Sequence, residues 1–192
     1  MPLFEVRRGL GAGFGNNAAP AALMNTMAQP VVMLWFQALI LDGRGYQVRA
    51  GTITTPLVGD VAITDVAAEF CVDAAAGTTI IPTAQIIAVR LSTGTLHEYA
   101  TKSVATVSSA GTAFVPLPLF SGGAAAVSTA RVSAAGGVTV TAELATTTLR
   151  HWAWSNPAAG FTGALPGDQH QEWYPVLYGA PILNGPRCLY TQ

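Results

Sequence analysis

From Val31 onward the chain alternates short runs of β-branched and aromatic residues with clusters of Gly, Pro, Asp and Ser, which is the pattern of strands punctuated by turns. Val31–Leu41 is continuously apolar except for Gln37 and predicts a strand buried on both faces. Asp42-Gly43-Arg44-Gly45 then offers a tight turn, with Tyr46–Thr55 as the returning arm of a hairpin. Val61–Val72 predicts a strand with room for a bulge, setting Val61, Ile63, Phe70 and Val72 against Thr64, Asp65 and Glu69. Thr78–Ile81 and Gln85–Leu91 flank Pro82, a residue of strand ends and edges. After the turn Ser92–Thr95, Leu96–Thr101 is expected to pair with the Gln85–Leu91 strand.

Val104–Val107, Phe114–Phe120, Val127–Val132 and Val138–Leu149 continue the rhythm, with turns at Ser108–Gly111, Ser121–Gly123 and Ala134–Gly137. The cleanest alternation in the chain sets Val138, Val140, Ala142 and Leu144 against Thr139, Thr141, Glu143 and Ala145. A long loop, Ser155–Gln171, precedes Glu172–Leu177 and a final short strand near Cys188–Tyr190. Many short strands without alternating helical segments predict an all-β fold: an antiparallel β-sandwich in the form of a single jelly roll, occupying 31–192. Residues 1–30 read as an extended N-terminal arm, because Gly9, Gly11, Gly13 and Gly15 alternate, Asn16 and Asn17 follow, and the small, Met-containing Ala18–Ala28 cannot bury enough to fold alone. Ala21–Ala28 has the residues for one or two helical turns, ended by Pro30, with Leu23, Met24 and Met27 on one side.

Composition sharpens this picture. Of the 192 residues 51% are hydrophobic and only 10% charged, against about 25% charged in an ordinary soluble domain. Nine Lys and Arg nearly cancel ten Asp and Glu, leaving a net charge of -1. A surface so poor in charge is expected to be covered by neighbours, because solubility normally depends on a mixed charged exterior. The most apolar run, Val31–Leu41, is far shorter than the roughly 20 residues a membrane helix needs. No transmembrane segment is expected, and contact with an internal membrane stays open.

Candidate chemistry is sparse. The glycine run Gly9–Gly15 neither follows a strand nor ends in the Gly-Lys of a phosphate loop. His97, His151, His170 and Glu172 have no ligand spacing, and no serine sits in a Gly-x-Ser-x-Gly elbow. Catalytic, cofactor and metal residues are therefore not assigned, and an enzyme is not expected. Arg7 and Arg8 are the only adjacent basic pair, short of the several that sequence-specific or electrostatic nucleic-acid binding draws on. Cys71 and Cys188 are open to two readings: a disulfide if the last strand returns beside the Cys71 strand, or two buried thiols. The interface candidates are Arg7 and Arg8 with Trp152, Trp154, Trp173 and Tyr174, since Trp and Tyr dominate interface hot spots and Trp152 and Trp154 share one face of an extended segment.

In strand rhythm, in its pliable arm and in using Thr, Ala and Gly in place of charge, the chain resembles the jelly-roll coat and capsid proteins of viruses, including bacteriophages. The resemblance implies a virion structural protein whose partners are copies of itself and other virion proteins, with Met1–Pro30 reaching onto a neighbouring subunit. A secreted lectin-like or adhesin-like β-sandwich module, located outside the cell, is the alternative on the same scaffold.

Overall fold

A computed structural model of the protein describes residues 35–52, 54–60, 63–64, 66–89, 96–141, 146–155 and 169–192. The expected arm, with Arg7 and Arg8, lies outside the described residues, as do 142–145 of the alternating segment and 156–168 of the long loop. The chain divides into two compact units, one taking Met1–Gln47 with Leu117–Ala126, the other Val48–Pro116 with Val127–Gln192.

In the first unit, Trp35–Leu41 forms helix α1, where the sequence predicts a strand. Mid-length apolar runs suit a buried strand and a helix equally, and the Leu, Ala and Gln of this one favour the helix. Its end identifies it. Gly43 adopts φ 75°, its N–H donates to the Ile40 carbonyl at 2.9 Å, and the Arg44 N–H donates to the Leu39 carbonyl at 2.9 Å. These two bonds with a left-handed glycine between them make a Schellman cap. Asp42–Gly45 therefore terminates a helix where a hairpin turn was expected. A Cβ on Gly45 would lie 2.5 Å from Ile40 Cγ1, so only glycine lets the chain fold back over α1 into strand β1 (Tyr46–Gln47), whose partner is β9 (Leu117–Pro118).

The second unit is built on antiparallel strands throughout. In chain order they are β2 (Ala67–Ala68), β3 (Phe70–Ala74), β4 (Thr79–Ile80), β5 (Gln85–Val89), β6 (Leu96–Val104), β7 (Ser109–Ala110) and β8 (Thr112–Phe114). These are followed by β10 (Thr129–Val132), β11 (Val138–Thr139), β12 (Thr146–Ser155), β13 (Gln169–Trp173), the short helix α2 (Pro175–Tyr178), β14 (Leu183–Asn184) and β15 (Arg187–Thr191). Six strands form the main sheet in the order β12-β6-β15-β3-β10-β8, and three form a second in the order β2-β11-β7. The pairs β13-β5 and β14-β4 complete it.

One pairing differs from the expectation. β6 does not join β5: it lies between β12 and β15, while β5 pairs with β13. A turn signal favours the nearest partner in sequence, but the register along β12 matches β6 from Leu96 to Val104 and outweighs it. Glu172–Leu177 is divided between the end of β13 and α2, with Pro175 at the start of that helix. Leu149 is skipped in the β12–β6 register, between Thr148 opposite Lys102 and Arg150 opposite Thr101, which makes a bulge in β12.

The core cluster draws buried residues from both the main sheet and the three-stranded one. Ala68 and Val138, with Val140 just past β11, meet Cys71, Val104, Cys188 and Tyr190 of the main sheet. Tyr190 is the largest fully buried side chain among the described residues.

Candidate functional site

Directly opposed residues of an antiparallel pair project to the same side of a sheet. Across the main sheet this aligns Arg131, Cys71, Tyr190 and Lys102 in one row and Thr129, Asp73, Cys188 and Val104 in the next. The last strand thus does return beside the Cys71 strand, with Tyr190 opposite Cys71 and Cys188 opposite Asp73. Both cysteines are free thiols and both are buried, which corresponds to the second of the two readings.

Asp73, 6% exposed, is the centre of a buried polar cluster. Ser108, on the approach to β7, donates its N–H to Asp73 Oδ1 at 2.9 Å and its hydroxyl to Oδ2 at 2.7 Å. Arg131 Nε faces Oδ2 at 3.6 Å, while its Nη1 donates to the Ala110 carbonyl at 3.2 Å. Ser108 Oγ also lies 2.9 Å from Cys71 Sγ. A hydroxyl has one proton to give, and the carboxylate is the stronger acceptor, so the neutral Cys71 thiol donates to Ser108 Oγ.

The two thiols titrate apart. Hydrogen bonding from Cys188 draws Cys71 below its ordinary value, against the opposing effect of burial. Cys188 is pushed far up, first by its bond to Cys71, then by burial and the charges of Cys71 and Asp73. The two sulfurs titrate as a coupled pair, and loss of the first proton makes the second harder to remove. The sulfur atoms of Cys71 and Cys188 and a carboxylate oxygen of Asp73 all lie within 4.8 Å of one another. A depression of about 190 Å³ opens beside Asp73, which lines it with Val107, Ser108, Val127, Thr129 and Arg131. The two sulfurs and the carboxylate oxygen are a donor set that suits cation binding.

The aromatic candidates fall on β12 and β13 and just beyond. Trp152, opposite Tyr99 on β6, is half-buried and stacks on it with ring centroids 4.7 Å apart. Arg150 lies over the Trp152 ring at 5.9 Å and donates to the Glu172 carbonyl at 2.8 Å, joining β12 to β13. Trp173 is opposite Gln85, and Trp154 is opposite His97. The Tyr174 phenol is raised by its hydrogen bond to Glu172. The structure brings Trp152 together with Tyr99 and Arg150, two residues the sequence analysis does not select, and the local clue was Arg150 two positions before Trp152 on one strand. His151 Nε2 lies 2.5 Å from Glu98 Oε1 on the neighbouring strand. Among the described residues no histidine joins a group of potential metal ligands.

Comparison with known proteins finds no family model, no curated protein and no solved structure that matches the chain.

Proposed function

We propose that the protein is a structural subunit of a virus shell, whose activity is assembly with copies of itself and with other virion proteins. The observation that carries this reading is large apolar side chains left open to solvent: Val127 is 75% exposed, Leu117 and Leu177 70%, Val58 66% and Ile182 65%. Scattered surface apolar residues are common, but here they accompany a chain in which only 10% of residues are charged. Obligate interfaces are the more hydrophobic kind. Covering such residues contributes roughly 25 cal/mol per Å² of apolar area.

On this reading the main sheet and the three-stranded sheet are the two layers of a jelly-roll sandwich, Met1–Pro30 reaches onto a neighbour, and the Trp152 to Tyr174 region lies at a contact. β12 supports it, because it is an outer strand of the main sheet and is ten residues long, and long outer strands are templates for pairing with another chain. The alternative, a lectin-like module, is less well supported: Tyr99 and Arg150 already engage the ring of Trp152 on which a sugar would stack.

Light scattering on a sizing column, followed by electron microscopy of the eluted material, tests the proposal. Regular particles are expected; a stable soluble monomer at every concentration and salt condition tried would overturn it.

A further inference from the structure

The geometry points to a binding site for one soft divalent cation of the zinc class, held by Cys71 Sγ, Cys188 Sγ and a carboxylate oxygen of Asp73. The inference is independent of the shell proposal and rests on four observations.

The first is placement: all three donors project from one face of the β3–β15 pair, lie within 4.8 Å of one another, and belong to buried residues. Ligands around a zinc ion stand about 2.0 to 2.3 Å from the metal, so mutual separations in this range need only small side-chain rotations to close on it. The second is chemistry. Two sulfurs and one oxygen select a soft or borderline cation over magnesium or calcium.

The third is support around the ligands. Ser108 holds Asp73 through its N–H and its hydroxyl, and Arg131 faces the same carboxylate. A carboxylate has lone pairs to spare beyond those bonds, and fixed carboxylates of this kind are what metal sites use to orient a ligand. The fourth is charge and access. Two thiolates and one carboxylate balance a divalent ion together with the Arg131 guanidinium, which leaves the buried cluster neutral. The depression reaches the cluster from the Asp73 side, where Ser108 and Arg131 also line it.

Binding converts both thiols to thiolates bonded to the metal and releases their two protons to solvent, with no change of oxidation state. The ion would tie β3 to β15 by a second set of bonds across the centre of the sheet.

The test is titration of the reduced full-length protein with Co²⁺, followed by its thiolate charge-transfer and tetrahedral d–d absorption. Saturation at one ion per chain, reversed by Zn²⁺ and lost in both Cys71→Ser and Cys188→Ser, supports the site. Ser108→Ala should weaken binding by roughly tenfold, in line with the loss of a group that orients a ligand. Absence of a thiolate band, or its persistence in either cysteine variant, overturns the proposal. X-ray absorption of the Zn²⁺-loaded wild type gives a readout free of variants: two sulfurs with lighter donors completing the shell are expected, and any other sulfur count overturns it.

Discussion

Glu69 and Asp73 are acidic residues on or beside the same strand in different surroundings. Asp73 accepts two hydrogen bonds from Ser108 and faces Arg131. Glu69 receives the Asp60 N–H at 3.0 Å, yet its carboxyl is raised above the ordinary 4.5, with burial the foremost cause. The folded state therefore holds the Glu69 proton more tightly than the unfolded chain does. That contribution is complete below the unfolded value and is lost as pH rises through the folded one. Glu69→Gln keeps an acceptor for Asp60 and removes the titration. Denaturant unfolding at a series of pH values should show the stability of the wild type relative to this variant falling as pH rises above about 4.5; a difference that grows with pH would show that the Asp60 bond outweighs burial.

Among the elements, those set by local chemistry were legible in the sequence. β4, β5 and β10 fall inside predicted strands, β15 contains the one predicted near Cys188–Tyr190, and the turn predicted at Ala134–Gly137 has positive φ at Ala135 and Gly136. Gly111 is similar: it has φ 66° where the sequence predicts a turn, and a Cβ there would stand 2.8 Å from Val138 Cγ2 and 3.1 Å from the Val132 carbonyl oxygen. Gly111→Ala should cost about 2 kcal/mol or more, from left-handed strain and the push against the core, read as a lower thermal midpoint. What was not legible depended on distant partners. The apolar run at α1 fits two periodicities, and its cap becomes distinguishable from a hairpin turn only through the bonds to Leu39 and Ile40. The spacing of Cys71 and Asp73 places both on one face of a strand, but Ser108, Arg131 and Cys188 join them only through the order of strands in the sheet.

At the scale of the whole molecule, the exposed apolar positions give the sharpest consequence of low charge. Leu117→Glu and Ile182→Glu change residues that are 70% and 65% exposed, so folding stability should stay within about 0.5 kcal/mol of wild type. Particle formation should nevertheless fall steeply, because a carboxylate at an apolar contact must lose its water. Unchanged particle yield from both variants would place the assembling surfaces elsewhere.

β15 sits in the middle of the main sheet, between β6 and β3, although it is the last strand in the chain order. Gln192, beside it, exchanges backbone hydrogen bonds with Ala100. On the ribosome, then, β12 with β6 and β3 with β10 and β8 can form only two half-sheets until Arg187 to Thr191 emerge. Each half-sheet meanwhile offers an open inner edge that another nascent chain's strand could fill. Translation speed over the stretch before Arg187, and the crowding of neighbouring ribosomes on one message, thus become determinants of how much protein reaches its native sheet.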